Sequence, residues 1–588
     1  MRCRFNRAGS CFTGIMSLMM MAAALVLPVR DAGAAAEAGE RPNIVIIMVD
    51  DLGFSDIGCY GGEVRTPNLD KLAAGGLRMT QFYNMARCCP TRAGLLTGLY
   101  PHQAGVGAMC QDLDIPSYRG ELNDRCVTIA EALGQAGYDT AMVGKWHLSN
   151  LVVSPATEPA LAKAILNFEV DAPISPGGST KSWPVNRGFG QMWGTIVGVQ
   201  NFYDPWSLVH NQTPIRPGDD FYYTEFITNK SVELIEQLAA AKERKPFFLY
   251  VAHAAPHWPI QARERDIRKY EDVYRKGWSK IRQERYERLI ELGIIQRQWK
   301  LAPRESDRPE REPVIDWEES NHQAWEVRRM ATYAAMIDAM DQGIGDIMAK
   351  LDEHGMTNNT LVLFLSDNGA CAENVQPNWY DIPTKTRDGR AIHIGNGDKS
   401  VMAGPEETFM SYGPLWANVS NTPFRSFKHF TYEGGIATPL IAHWPERIRR
   451  AGELETEALG HVVDILPTCL DAAGAAYPEQ FNGNEILPVE GESLLPAMTG
   501  RGAGGAAQRT LFWEHEGARA VRRGDWKLVA SHRQPWQLFN MKTDRTEQND
   551  LAGKWPERVQ DLSNRYDAWA ERCGVRPWPV RVKPAKGN

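Results

Sequence analysis

Two adjacent acids, Asp50 and Asp51, close the apolar run "NIVIIMVDD", and an acid–amide pair, Asp367 and Asn368, closes "TLVLFLSDNG". Carboxylates that converge repel one another unless a cation lies between them. Donors that are all oxygen select a hard divalent ion, calcium or magnesium, over zinc or copper. Helix capping alone is a poor account of two such pairs on separate apolar runs. A second set is cationic or carries protons: Arg92, Lys145, His147, His257 and Lys428. Lys145 and His147 are two apart in an extended segment and so share a face. Singly they read as a surface lysine beside a core histidine. Together the five suit a dianionic head group, which Arg grips bidentately and Lys attracts as a point charge.

The third chemical feature is the cysteine pair Cys88–Cys89 in "NMARCCPTRAGLLTGLYP". Neighbouring cysteines rarely bond each other, and two are too few for a zinc site. Pro90 fits the first turn of a helix running on to Pro101, with Cys88 just outside its N-terminus. Free N–H groups and the helix dipole favour an anion there. A thiolate nucleophile is one reading. Hard oxygen ligands are a poor setting for sulfur, so residue 88 fits better if it presents oxygen.

These residues need a scaffold that brings strand ends together. Near-continuous apolar runs end at the acids and again in "PFFLYVAHAAPHWP" and "YDTAMVGKWHL", which carry His257, Lys145 and His147. "TPLIAHWP", residues 438–445, reads as a fifth such strand. Such runs suit parallel strands buried on both faces. Helical segments alternate with them: "TPNLDKLAAGG", "CVTIAEALGQAG" and a long amphipathic stretch, "EVRRMATYAAMIDAMDQGIGDIMAKLDEHG". The fold class is therefore α/β, a large mixed, mostly parallel sheet flanked by helices, with ligands expected beyond the carboxyl ends of the strands.

Two segments look inserted. Residues 151–182 have little periodicity, and residues 262–316 are rich in Arg, Lys and Glu and read as solvated rim helices or as the wall of a site entrance. After Gly500, "GRGAGGAAQ" reads as a linker. It leads to short antiparallel strands with a turn at Gly524–Asp525, then a helix near residues 556–572. This divides the chain into a catalytic region, 41–500, and a small C-terminal α+β domain, 508–580.

Arg2, Arg4 and Arg7, the run "IMSLMMMAAALVLPV" and the small residues of "DAGAAAEAG" read as a signal peptide over residues 1–36. An uncleaved anchor is the alternative reading. A secreted or periplasmic protein follows, with no stable membrane span after cleavage. Of ten cysteines, Cys3 and Cys11 fall in the signal and eight are scattered without a framework spacing. Cys110 and Cys126 could pair. A net charge of -7 gives no reason to expect nucleic acid as a partner.

"CCPTRAGLLTG" resembles the signature of the type I sulfatases, and "GYDTAMVGKWHL" resembles their second signature. "APHWP", "LSDNG" and "FRSFKHFTYEGGIATP" are similar to later blocks of that family, in the expected order, with the arylsulfatase branch the clearest match. The resemblance runs from about Asn43 to Leu551 and implies an alkaline-phosphatase-like fold. It implies that a formylglycine-generating enzyme oxidises Cys88 to formylglycine (3-oxoalanine), which answers the need for oxygen at that position. It also implies that Asp50, Asp51, residue 88, Asp367 and Asn368 hold calcium, or magnesium, and that Arg92, Lys145 and Lys428 bind sulfate. Asp367 would help deprotonate the attacking hydroxyl. His257, with Lys428, would protonate the leaving oxygen, and His147 would take a proton from the second hydroxyl. The implied activity is hydrolysis of sulfate monoesters of small molecules or glycans. A phosphonate or phosphate ester hydrolase on the same fold and an inactive sulfoglycan-binding protein remain as alternatives.

Overall fold

The computed structural model describes residues 41–150, 164, 180–306, 309–310, 312–377, 382–502 and 509–580. The expected signal peptide, most of the 151–182 segment and most of the linker after Gly500 lie outside the described residues. From Arg41 onward the chain forms one compact unit.

Its centre is a ten-stranded sheet. In chain order the strands are β1 (Asn43–Val49), β2 (Leu77–Met79), β3 (Asp139–Lys145), β4 (Gln191–Thr195), β5 (Leu208–His210), β6 (Thr213–Pro214), β7 (Phe247–Ala252), β8 (Thr360–Ser366), β9 (Leu440–His443) and β10 (Leu454–Glu455). Across the sheet the order is β10-β2-β9-β8-β1-β7-β3-β4-β5-β6. The block β8-β1-β7-β3-β4 is parallel throughout. Its innermost strands are the continuous apolar runs, and Ile44 to Val49, Phe248 to Ala252 and Leu361 to Leu365 are all fully buried. A strand covered on both faces has no polar face to alternate with.

The 438–445 run departs from the parallel expectation. Its strand β9 lies antiparallel to both β8 and β2. An apolar run records burial on both faces but not the direction in which the chain crosses the sheet.

The helix after the cysteine pair, α1, spans Cys88–Thr97, so Cys88 opens the helix rather than preceding it. Gly98, at φ 66°, ends it before the expected Pro101, because a left-handed residue cannot continue the turn. Thr128 caps the next helical segment, Ile129–Gln135, by a reciprocal box with Glu131. The long amphipathic stretch forms α4 (Gln323–Glu353), which packs on α2 (Tyr223–Ala239). Gly343 makes that approach possible, since a Cβ there would lie 1.9 Å from Thr228 Oγ1.

The charged 262–316 segment is more than a solvated rim. Its helix α3 (Gly277–Glu291) buries Trp278, Ile281, Arg285 and Leu289. The Arg285 guanidinium, fully covered, bonds Asp56 Oδ1 at 2.7 Å and both Glu63 oxygens at 2.7 and 2.8 Å. A buried charge needs such partners, and here they come from the loop just after β1.

At the C-terminal end, β11 (Thr510–His515), β12 (Ala518–Arg523), β13 (Trp526–Ala530) and β14 (Gln537–Asn540) form an antiparallel sheet with the turn at Gly524–Asp525. Helix α5 (Pro556–Cys573) packs across β12 and β13. Buried Glu433 ties this sheet inward, bonding Lys527 at 2.9 Å, Arg545 at 2.8 Å and the Tyr83 hydroxyl at 2.9 Å. All eight cysteines among the described residues are unbonded. Cys110 Sγ lies 3.5 Å from Cys89 Sγ, whereas Cys126 Sγ lies 3.2 Å from the Asn123 carbonyl oxygen. No described helix is long and apolar enough to cross a membrane.

Candidate active site

The parallel register of β1 and β8 pairs Val49 with Ser366, so Asp50 and Asp51 emerge beside Asp367 and Asn368. The Asp367 N–H donates to the Val49 carbonyl at 3.0 Å, and the Asp51 N–H reaches Asp367 Oδ1 at 3.3 Å. Asn368 Nδ2 donates to Asp51 Oδ1 at 2.6 Å, which turns its own Oδ1 away from that bond. All four side chains are buried. Asp51 holds a left-handed backbone at φ 66°, strain of the kind that collects at functional sites.

The cations close round these oxygens. Arg92, projecting from α1, donates from Nε and Nη2 to Asp367 Oδ2 at 3.1 and 2.8 Å, and from Nη1 to the Lys145 carbonyl at 2.9 Å. Lys145, at the end of β3, bonds Asp50 Oδ2. Lys428 Nζ lies 2.8 and 3.0 Å from the two Asp51 oxygens. His257 follows β7, and its Nδ1–H donates to the Trp258 carbonyl. Its Nε2 therefore faces Asp51 Oδ2, 3.5 Å away. Cys88 Sγ, Cys89 Sγ and a His147 ring nitrogen lie within 4.8 Å of one another. The structure thus gathers all ten of the side chains singled out in the sequence.

Electrostatics divide the two facing carboxyls. Burial alone would raise Asp50, but Lys145, His257 and Arg92 overcome it and hold its carboxyl down to about 2. Burial and the Asp50 charge push Asp367 well above the usual carboxylate range, against the pull of Arg92. Two acids this close ionise together only with a cation between them. Two oxygens, Asp50 Oδ1 and Asn368 Oδ1, are buried with no hydrogen-bond partner. An orphaned pair in an all-oxygen cluster fits a hard divalent ion. At Cys88, the Cys89 thiol, His147 and Lys145 favour the thiolate strongly enough to outweigh burial. Burial draws His147 down to about 4 and lowers His257 as well.

Some supports escaped the sequence reading. A Cβ on Gly198 would lie 2.1 Å from His147 Cε1, so this glycine makes the seat for that ring. His147 itself is at φ 58°. Ser366 Oγ accepts from the Leu52 N–H at 3.2 Å and donates to the Asn368 carbonyl at 2.9 Å, bracing both acidic loops. Ser366 directly precedes Asp367, which is a signal that could have been used. Gly198 lies far along the chain, and no local pattern marks it.

The mixed α/β sheet thus carries an oxygen-lined anionic centre at the ends of its parallel strands, where open α/β sheets bind their ligands. A family model described as Sulfatase matches residues 42–475, and one described as N-sulphoglucosamine sulphohydrolase, C-terminal, matches 424–567. An arylsulfatase of Klebsiella aerogenes is 33% identical over 499 residues, covering 82% of this chain and 96% of its own. An uncharacterised sulfatase of Schizosaccharomyces pombe is 30% identical over 575 residues, covering 93% and 98%. The solved structure of Ps i-CgsB in complex with k-i-k-neocarrahexaose superposes with a TM-score of 0.63 at 22% identity, covering 93% of this chain and 96% of that one. The chain belongs to the sulfatase family, and it is a sulfuric ester hydrolase.

Proposed function

We propose that Asp50, Asp51, residue 88, Asp367 and Asn368 hold a calcium ion, and that Cys88 acts after oxidation to formylglycine. The observation that carries this is the pair of buried, unpartnered oxygens, Asp50 Oδ1 and Asn368 Oδ1, in a cluster that also brings in the N-terminus of α1. When present, the ion withdraws charge from the sulfate oxygens, and the aldehyde hydrate supplies an attacking hydroxyl plus a second one through which sulfate can leave. The remaining work falls to the chain's own side chains. Arg92, Lys145 and Lys428 bind and orient the sulfate dianion in a site closed to bulk water, where fixed charges act strongly. Asp367 helps remove the proton of the attacking hydroxyl. His257, its ring fixed by the Trp258 carbonyl, gives a proton from Nε2 to the leaving oxygen, assisted by Lys428. His147, with Nδ1 unpartnered, takes the proton of the second hydroxyl.

The substrate is a sulfate monoester of an aryl or carbohydrate alcohol. The glycan bound in one structural neighbour supports the carbohydrate reading. Residues 1–36 act as a signal peptide, residues 41–500 as the catalytic region and residues 508–580 as a small C-terminal domain. A separate formylglycine-generating enzyme is the maturation partner.

Peptide mass spectrometry at residue 88, run beside sulfate release and calcium content, tests the reading. Activity should scale with the fraction of formylglycine and of bound calcium. Full activity in material carrying only the thiol, or faster turnover of an aryl phosphate than of the aryl sulfate, would overturn it. N-terminal sequencing of exported protein should begin directly after a residue between Ala34 and Ala36.

A further inference from the structure

Beside the oxygen-lined centre lies a group of side chains that no step above uses: Arg87, Glu373, His429, His515 and Glu516. Chain adjacency places it. Arg87 precedes Cys88, His429 follows Lys428, and Glu373 lies shortly beyond Asn368. The His429 N–H donates to the Ala86 carbonyl at 2.9 Å. Side-chain exposure rises outward, from 0% at Arg92 and Lys145 and 1% at Lys428 to 14% at Arg87, 31% at His429 and 34% at Glu516. The group therefore lies between the buried centre and the protein surface.

Two members sit on backbone that suits neither of them. Glu516, at φ 50°, and Gly517, at φ 86°, form the two-residue turn between β11 and β12. Positive φ at both positions favours Asn or Gly first, not Glu. His429 is held at φ 80°. Strained positions of this kind persist where the surroundings over-determine them, and they collect at ligand clamps.

The hydrogen bonds leave one acceptor free. Arg87 Nη1 donates to His429 Nδ1 at 2.6 Å, and His429 Nε2–H donates to Glu373 Oε1 at 2.8 Å. Arg87 also pairs with Glu373 at 3.1 Å, and Trp258 Nε1 bonds the second Glu373 oxygen at 2.8 Å. Both nitrogens of His429 are thus used, and a guanidinium covers the one a metal would need. Glu516 differs. Its oxygens stand 3.9 Å from His429 Nδ1 and from His515 Nε2, too far for hydrogen bonds. His515 is fully buried beneath, with neither ring nitrogen partnered. The partly exposed carboxylate of Glu516 and the buried, unpartnered nitrogens of His515 beneath it together offer acceptors to a ligand that brings O–H donors. Arg87 offsets the charge of Glu373, and the remaining charge of Glu516 disfavours an anionic group such as a uronate at its own carboxylate, while a bare aryl ring brings no donor.

We propose that Glu516, backed by His515 and His429, is a leaving-group subsite that recognises hydroxyls of the neutral sugar ring bearing the sulfate ester. The inference rests on the sulfate site proposed above.

The test uses full-length, formylglycine-converted enzyme with calcium. Rates of sulfate release are compared for 4-nitrophenyl sulfate and galactose 6-sulfate, with the sugar sulfate also tested as a competitor of the aryl sulfate. Glu516→Gln keeps the side chain's length, and Glu516→Asn suits the turn better than Glu does. In both, the ratio of kcat/KM for the sugar sulfate to that for the aryl sulfate should fall about tenfold, mainly through KM. The inhibition constant of the sugar sulfate should rise in step. Glu516→Asn should melt at or above the parent's temperature. An unmoved ratio, equal losses on both substrates, or a parent that neither turns over nor is inhibited by the sugar sulfate overturns the subsite. A parent inactive on aryl sulfate counts instead against the sulfate site. Calorimetric titration of parent and Glu516→Asn with galactose 6-sulfate then decides the subsite: weaker binding to the variant supports it, and equal or absent binding overturns it.

Discussion

Replacing His257 by asparagine tests its proposed role as proton donor apart from the other duties of the site. The ring is held by one bond, Nδ1–H to the Trp258 carbonyl, while Nε2 points towards Asp51 at 3.5 Å. An asparagine amide can remake the first bond, worth about 0.5–1.5 kcal/mol. It places no atom where Nε2 stands. Folding should therefore be almost unaffected and proton delivery lost. Positioned general acids contribute about 10²- to 10⁴-fold, which is roughly 2.7–5.4 kcal/mol of barrier at about 1.36 kcal/mol per decade. The full loss should appear in kcat for an alkyl or sugar sulfate, whose alkoxide cannot depart unprotonated. With 4-nitrophenyl sulfate the phenoxide leaves unaided, and the loss should be about tenfold or less. The assay is steady-state sulfate release from both substrates, beside a thermal melt. Equal losses on the two substrates would refute the role, as would a rise in KM with kcat intact.

Removing the proposed ion with a chelator should abolish turnover at least about a thousandfold, and calcium should restore it where zinc does not, since the donors are hard oxygens; recovery of activity on metal add-back is the measurement. Gly198→Ala pushes a methyl to 2.1 Å from His147 Cε1, so it should cost about 1–3 kcal/mol in stability and displace the ring, read as a lower melting temperature with a fall in kcat. Glu547 supplies a pH test. Burial, then Glu433, pushes its carboxyl up to about 7 against the pull of Lys527, so the native state keeps a proton that the unfolded chain releases near the ordinary glutamate value. That contribution is whole below about pH 4.3 and is lost as pH rises through 7. Glu547→Gln should remove the loss, and its melting temperature relative to the parent should climb between pH 5 and 8; a constant difference would contradict the assignment.

Much of the centre was legible because its signals are local. A run such as Ile44–Val49 has no polar face, so it must be covered on both sides, and a charged pair at its end must meet a partner or an ion. The box of Thr128 and Glu131 is equally local, whereas the stop at Gly98 comes before the Pro101 to which the sequence pointed. The orientation of Leu440–His443 was not legible, because an apolar run looks the same read in either direction. Nor was the burial of Arg285, whose partners Asp56 and Glu63 lie more than two hundred positions upstream.

The amino-acid order by itself therefore determined the buried strands, the acids at their tips, the helix behind Cys88 and the family to which they belong. Only the tertiary structure decided how the ends of β1 and β8 register, which glycine seats His147, and that Glu516 from the C-terminal hairpin comes within 3.9 Å of His429. Composition and periodicity act over a few residues. Contacts between distant segments depend on how the whole chain crosses the sheet, and that path is settled only when the common core is packed.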